Sequence, residues 1–230
     1  MALLKVTAHL ASPVAAYHPL HFDGLLASVA FDSEHHLTRL SPRSELADPR
    51  LPIVRISALG ERCYLASAWV WPNGTTYGRE QQTTRKDVLD IDLRQRPWNI
   101  KAGPEKARNF PIPTIEASEC YWYVYGNRKG VKGLLRYVRQ IGMLRRAGYG
   151  VVNGWDIERM DGVDALQLEP LIRENRSARN LPAAWAEGHI EPVAHEAPYW
   201  HPDRAGEPGV PYGVPCILRP EVVAAVHGVK

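Results

Sequence analysis

Cysteine and long apolar runs are scarce in this sequence, and each shortage excludes a class of protein. The chain contains only Cys63, Cys120 and Cys216, which are odd in number and far apart. Neither a disulfide framework nor a Cys-x-x-Cys zinc site is expected, and we predict buried free thiols in a reducing compartment. No stretch approaches the roughly 20 consecutive apolar residues that span a bilayer, and the N-terminus does not resemble a secretory signal. We therefore expect a cytoplasmic protein without membrane contact.

Motifs that hold metals or nucleotide phosphates are missing as well. No Gly-x-x-x-x-Gly-Lys-Ser/Thr run is present, so a P-loop is not supported. His189, His195 and His201 recur every six residues, whereas paired metal ligands usually lie about two to five residues apart. We therefore expect no metal ion and no other cofactor.

The most informative shortage is that of acidic residues in one segment. The net charge of the whole chain is only +3. Between Gly126 and Gly150 there is no Asp or Glu, but there are seven basic residues: Arg128, Lys129, Lys132, Arg136, Arg139, Arg145 and Arg146. A near-neutral chain with one concentrated basic segment presents a local positive surface. Such a surface suits a polyanion that is held at a defined place.

Hydrophobic periodicity predicts the elements around this segment. Alternation from Leu4 to Leu10 predicts a strand, and the next periodic segment predicts a helix with Asp23 as its N-cap. The remaining predicted elements are strands at 53–56, 63–71, 119–125 and 151–157 and a helix at 131–144. This order indicates an α+β fold with a ferredoxin-like, RRM-type antiparallel sheet.

Two regions fall outside this pattern. Residues from about 75 to 110 are polar and rich in Arg and Lys, which predicts a projecting basic excursion, a β-hairpin. Prolines are dense from Leu181 onward. We therefore expect an α+β domain at 1–180 with an insertion at about 75–110, and a loop-rich, Pro-rich tail at 181–230 in the same compact unit. Arg173, Arg176 and Arg179 lie at helical spacing and are predicted to share a solvated face.

The turn after the predicted basic helix combines the features of a phosphate site. Glycines allow positive φ and a close approach of the backbone, and exposed turn N–H groups form an anion-binding nest. Arg145 and Arg146 can donate paired, charge-assisted hydrogen bonds to phosphate oxygens. Tyr149 can stack on an unstacked base. The alternative is a tight helix-to-strand connection in which Gly148 and Gly150 serve packing and Tyr149 lies in the core.

Three segments together resemble the RAMP superfamily of CRISPR proteins. They are the opening strand, the start of the first helix from Pro19 to Ala27, and the segment from Met143 to Val152. The helix motif and the segment from Ala197 to Pro202 look most like the Csf group of type IV systems. Within that group the chain resembles the Cas-five-type subunit. The resemblance implies a ferredoxin-like fold and a non-catalytic subunit that binds the 5′ handle of the crRNA, the guide RNA.

The same resemblance implies partners and contact residues. Such a subunit packs against the backbone filament subunit and the large subunit, near target DNA at the flanking motif, in a complex that recruits a DinG-type helicase. The implied RNA-facing loop positions are Gly142, Arg145, Arg146, Gly148, Tyr149 and Gly150, and the basic helix adds Lys129, Lys132, Arg136 and Arg139. The excursion corresponds to a thumb-like hairpin, with weaker candidate contacts at Arg79, Arg85, Lys86, Arg94 and Arg96.

Two other functions stay open on the residues alone. Tyr17, His18 and His21 precede the first helix and carry the groups that metal-independent RNA cleavage needs: a general base, a general acid and a cation. The chain would then be an endoribonuclease that processes repeat RNA. The second alternative is a protein-only interaction scaffold whose basic helix docks an acidic partner.

Overall fold

The computed structural model describes residues 1–34, 50–84, 108–160, 166–197, 199 and 206–229. None of the helices in these residues is both long and apolar enough to cross a membrane. The helices are α1 Phe22–Glu34, α2 Arg128–Leu135 and α3 Pro220–His227. The strands are β1 Ala2–Leu10, β2 Val14–Ala15, β3 Arg55–Ala58, β4 Glu61–Tyr64, β5 Thr76–Thr84, β6 Arg108–Glu116, β7 Glu119–Gly126, β8 Val152–Arg159, β9 Ile172–Arg173, β10 Arg176–Ser177, β11 Leu181–Pro182, β12 Ala186–Gly188, β13 Glu191–Pro192, β14 Pro208–Val210 and β15 Cys216–Leu218.

The main sheet is built around β1, which pairs antiparallel with β7 on one side and β8 on the other. Its alternation buries Leu4 and Val6 completely, as the sequence predicts. Residues 65–70 extend along the far side of β7, where the Ser67 N–H donates to the Tyr123 carbonyl at 2.9 Å. The strand order is therefore β8, β1, β7 and then 65–70, with antiparallel neighbours throughout. This order confirms the predicted α+β, ferredoxin-like fold.

Helices α1 and α2 cover one face of this sheet. The apolar stripe of α1 buries Phe22 and Leu26, and α2 buries Val131 and Leu135 in the same core. Trp122 of β7 lies between the helices and the sheet and is fully buried. The core therefore holds both helices against the sheet, and with them the start of the loop that follows α2.

The basic helix is shorter than the sequence predicts, because α2 ends at Leu135 rather than at residue 144. The N–H groups of Tyr137 and Val138 donate to carbonyls three residues back, which tightens the last turn. The chain then turns so that Val138 and Ile141 still reach the core. The apolar spacing that predicted one long helix thus comes from a helix and a loop that share one core.

Strands β5 and β6 form an antiparallel hairpin stem that runs from the pair Thr76–Glu116 to the pair Thr84–Arg108. The stem is inserted between residues 65–70 and β7, and this confirms the β-hairpin predicted for that region. Arg79 lies exposed on β5. The other candidate contacts of the excursion lie outside the described residues: Arg85, Lys86, Arg94 and Arg96.

The Pro-rich tail packs on the other face of the sheet, at the end that carries Leu3 and Tyr125. There Leu181 and Trp185 form a second core with these two residues. The tail contains short strand pairs, β11 with β14, β13 with β14 and β12 with β15, and it ends in α3. It is thus more regular than the loop-rich tail that the sequence predicts.

The cysteines are buried and free, as the sequence predicts. Burial raises the pKa of the Cys63 thiol to about 12, so this side chain stays protonated at neutral pH. A protonated, buried thiol is unreactive, and the cysteines therefore serve packing.

The arginines predicted to share a solvated helical face do not lie on a helix. Arg173 and Arg176 pair across β9 and β10. Arg179 is fully buried, so its predicted exposure is wrong. Its guanidinium donates to the Asp23 carboxylate at 3.3 Å and to the Tyr199 hydroxyl at 2.6 Å. It also donates to four main-chain carbonyls, those of Tyr64, Ala66, Asn180 and His195.

We call this cluster of Arg179, Asp23 and Tyr199 the Arg179 anchor. The sequence predicts Asp23 as an N-cap, which is wrong because α1 begins one residue earlier, at Phe22. The Asp23 carboxylate instead accepts hydrogen bonds from Arg179 and from the Tyr199 hydroxyl, the latter at 2.8 Å. The anchor therefore ties the start of α1 to the tail.

Candidate nucleic-acid interface

The loop that connects α2 to β8 is closed by main-chain hydrogen bonds at its base. The Ile141 N–H donates to the Gly150 carbonyl at 2.8 Å, and the Val152 N–H donates to the Arg139 carbonyl at 2.9 Å. The Gln140 amide nitrogen reaches across the loop and donates to the Arg145 carbonyl at 2.7 Å. The loop is thus a defined structure, and its tip is a short 3-10 turn at Arg145–Ala147.

The glycines of this loop do different things. Gly142 and Gly150 have φ of 79° and 64°, and a Cβ on either would meet main-chain atoms, 2.7 Å from the Ala15 oxygen and 1.9 Å from the Ile141 oxygen. These two glycines therefore serve packing, as the alternative interpretation holds. Gly148 has φ of 87° but faces open space. It is the loop glycine that leaves room for a ligand.

Arg139, Arg145 and Arg146 are all exposed and line one groove. The opposite wall is the surface of α1 at Leu25, Ser28 and Val29, and Tyr137 and Gln140 complete a space of about 390 Å³. We call this space the arginine groove. None of the described residues forms an ion pair with these arginines, so the structure leaves their charge available to an anion.

Tyr137 is a groove residue that the sequence analysis missed. Its ring is 64% exposed, and the Arg136 guanidinium lies 5.2 Å from the ring centre. An exposed aromatic ring that carries a cation beside it is a surface on which a base can stack. The available signal was a tyrosine inside the acid-free segment, next to an arginine.

Tyr149, the predicted stacking residue, is partly covered instead. Its hydroxyl is hydrogen-bonded to the Glu80 carboxylate of β5. This contact joins the loop to the hairpin stem and brings one acidic group close to the loop. Tyr149 therefore links two structural elements, and the exposed ring of Tyr137 is better placed to meet a base.

The remaining basic candidates lie beside the groove rather than in it. Lys129, Lys132 and Arg136 are exposed on α2 or directly after it and do not line the groove. Arg128 uses one donor on the Ile157 carbonyl at 3.1 Å, which ties α2 to β8. Together these side chains extend the positive surface along α2.

His21, a candidate general base, is buried and has its ring fully engaged. Its Nε2 accepts the Asn180 N–H at 3.1 Å, and its ring stacks on Tyr199 with the centroids 4.5 Å apart. Burial, followed by the positive charge of Arg179, holds the pKa of His21 well below its usual value. The ring is therefore neutral, and its Nε2 lone pair is already used by the backbone.

The other two candidates of the cleavage hypothesis lie at the surface. Tyr17 is 53% exposed, and its hydroxyl donates to the Pro111 carbonyl at 2.9 Å. His18 is exposed and shares with His21 the lining of a cavity of about 570 Å³. Tyr17 does not line that cavity, so the structure does not bring the three side chains together around one reacting atom.

Comparison with protein families gives one finding. The family described as CRISPR type IV associated protein Csf3 matches residues 2–207, nearly the whole chain. No curated protein matches the chain. The matched span contains the four-stranded sheet, α1, α2 and every residue of the arginine groove.

Proposed function

Since the chain belongs to the Csf3 family of CRISPR type IV associated proteins, we propose that it is the non-catalytic subunit that binds the 5′ handle of the guide RNA. Membership of this family makes it a type IV CRISPR-associated subunit that works within a CRISPR complex. The proposal adds which component of that complex it holds, and with which residues.

One observation carries the proposal, namely the meeting of Arg139, Arg145 and Arg146 in a groove next to the exposed ring of Tyr137. A guanidinium presents a planar fork of donors that matches two phosphate oxygens. An aromatic ring beside such donors accepts an unstacked base, the form in which single-stranded RNA is usually recognised. The groove therefore offers both halves of a nucleotide site.

The fixed placement of the arginines favours RNA over an acidic protein segment as the occupant. The arginines are held by a loop whose base is closed by main-chain hydrogen bonds, so they are presented at fixed places. Regularly spaced phosphates meet such a fixed array well, and exposed aromatic rings add sequence-tolerant stacking. In the complex we expect the backbone filament subunit, the large subunit and target DNA near the flanking motif as neighbours, with a DinG-type helicase recruited by the whole assembly.

We also propose that the subunit is non-catalytic, and the burial and hydrogen bonding of His21 support this. A general base needs an available lone pair and a pKa near the working pH. The Nε2 of His21 is occupied by the Asn180 N–H, and the pKa of His21 is lowered by burial. Tyr17 does not line the cavity that His18 and His21 share, so the three candidate groups do not meet at one site.

The test replaces Arg145 and Arg146 together by Ala and measures the guide RNA that copurifies with the complex. We expect reduced retention, and a slope of log affinity against log salt that is smaller by about 1.4, because each lost phosphate contact on a single strand removes about 0.7. The matched control is Arg62→Ala with Arg219→Ala, which removes the same charge from two exposed arginines outside the groove.

Equal RNA retention and equal salt slope in both double variants would contradict the site. A purified complex free of nucleic acid would favour the protein-only scaffold. The non-catalytic part is tested separately by incubating the protein with repeat RNA in EDTA. RNA that stays intact supports the proposal, and cleavage that is lost in His18→Ala would overturn it.

A further inference from the structure

A second groove lies at the base of the hairpin stem, where β5 meets the β9–β10 turn. Its space of about 340 Å³ is lined by Trp71, Tyr77 and Tyr212 together with Arg173 and Arg176. We call it the aromatic groove. None of its residues belongs to the arginine groove, and the proposed function does not use it.

The two arginines occupy an unfavourable arrangement. Arg173 and Arg176 are directly opposite each other in the antiparallel pair, where like charges destabilise the pairing. The turn between them places Glu174 and Asn175 at φ of 50° and 60°, a left-handed conformation that costs a non-glycine residue free energy. The fold thus keeps two cations close together, and an anion between them would reduce their mutual repulsion.

The charge of this arginine pair is only partly offset. Arg173 lies 3.7 Å from Glu169 and 3.6 Å from Glu174. Arg176 is exposed and donates to the Gly213 carbonyl at 2.7 Å, and it has no acidic partner among the described residues. Arg176 and Gly213 both line the groove, so the guanidinium is held at its wall.

Three rings surround this charge. Tyr77 is 69% exposed, Tyr212 is 37% exposed, and Trp71 is partly buried. The Tyr212 hydroxyl donates to the Trp69 carbonyl at 3.3 Å, which fixes its ring as one wall. Exposed rings next to guanidinium groups are the combination that holds single-stranded nucleic acid, because every base has a face that can stack.

We propose that the aromatic groove is a second nucleotide-binding site, which takes one unstacked nucleotide of a single strand between its rings and places the phosphate on Arg176 and Arg173. Arg79 follows Tyr77 by two residues on β5 and therefore shares its side of the strand, where it adds positive charge. Glu80 points to the opposite side and contacts the loop of the arginine groove through Tyr149. The hairpin stem thus separates the two sites.

The test uses the full chain with Arg145→Ala and Arg146→Ala, so that the arginine groove does not contribute. Short fluorescein-labelled oligouridylate and oligodeoxythymidylate are the probes. Adding Tyr77→Ala and Arg176→Ala should weaken binding about ten- to hundredfold, the range expected from the loss of one stacked base. Tyr77→Phe should bind as tightly as its parent, because it keeps the ring. The control is Ile217→Ala with Arg62→Ala, two exposed residues outside both grooves.

Crosslinking gives a second measurement that does not depend on substitutions. Oligouridylate that contains 4-thiouridine should crosslink to the peptide of Tyr77 or that of Tyr212. Stronger binding of the ribonucleotide probe than of the deoxyribonucleotide probe would identify the strand as RNA, and equal binding would mean that the site accepts either.

The proposal is overturned if the control weakens binding as much as the groove variant, or if crosslinks map only outside the groove. It is also overturned if oligoglutamate binds in a manner that depends on Arg176 while neither oligonucleotide does, since the groove would then take an acidic peptide. Because the arginine groove is already disabled in this background, a negative result here leaves the guide RNA experiment unaffected.

Discussion

The Arg179 anchor and the arginine groove contain the same type of side chain in opposite situations. Arg179 has no exposed surface, and its donors are used on Asp23, Tyr199 and main-chain carbonyls. Arg145 and Arg146 are exposed and have no ion pair with any described residue. The difference shows that one positive charge of this chain holds the fold together, whereas others stay exposed and available to a ligand.

The division follows from how guanidinium groups are desolvated. A buried charge is tolerated only when hydrogen bonds and an opposite charge replace the water it loses, and the anchor supplies both. An exposed guanidinium keeps its water and gains little from the fold, so it remains available to a ligand. Substitutions in the anchor should therefore change stability, and substitutions in the groove should change binding.

The largest effect is expected for Arg179→Met, which keeps a flexible, unbranched side chain but removes the charge. The Asp23 carboxylate would then be buried without its cation, and we expect a loss of about 3–5 kcal/mol in the free energy of unfolding, measured with urea. The control is Arg179→Met with Asp23→Asn, which removes both charges and should recover part of the loss. A loss no larger than that of Arg145→Met, a surface substitution, would break the comparison.

A smaller effect should separate two glycines within the groove loop. Gly148→Ala should cost about 1–2 kcal/mol, since its left-handed φ strains an Ala but its surroundings are open. Gly150→Ala should cost clearly more, because its Cβ would also collide with the Ile141 carbonyl. Urea unfolding of both variants measures the difference. Equal costs would mean that the loop adjusts freely and that its base is not rigid.

The smallest expected effect is a dependence of folding stability on pH, and it tests the surroundings of the Arg179 anchor. His21 is held neutral in the fold because burial and the charge of Arg179 lower its pKa, whereas in the unfolded chain it titrates near ~6.5. Below that pH the unfolded chain binds a proton that the folded chain does not, so stability should fall by up to about 1.4 kcal/mol per pH unit.

Urea unfolding at pH values on both sides of that midpoint measures the dependence on His21. The control is His21→Gln, whose amide oxygen can still accept the Asn180 N–H but does not titrate. Contributions from Asp23 and Arg179 are present in both proteins, so the difference between the two curves belongs to His21. Parallel curves would show that His21 is not the neutral partner of the anchor.

Much of the fold could be predicted because its signals are local. The alternation in β1 and the aromatic run of β7 each identify a strand, and the order of elements then indicates the ferredoxin-like sheet. The end of α2 could not be predicted, because Val138 and Ile141 keep helical spacing although the chain has already left the helix. The spacing of apolar residues indicates which of them reach the core. It does not show whether they do so from a helix or from a loop.

The candidate site was predicted in its charge but not in its shape. The acid-free segment identified Arg139, Arg145 and Arg146, while Tyr137 became a groove residue only because the loop folds toward α1. Arg179 was misread as solvated because its neighbours in sequence suggest a polar face. Its carboxylate partner, Asp23, is 156 residues away in the chain.

The sequence by itself determined the strands of the main sheet, the presence of α1 and α2 and the concentration of positive charge after β7, because periodicity and composition act between near neighbours. Only the tertiary structure decided which arginines are buried and which are exposed. That choice depends on whether a distant carboxylate and free carbonyls arrive at the same place, and no local pattern contains this information. The same physical reason makes Gly150 a packing residue and leaves Gly148 open.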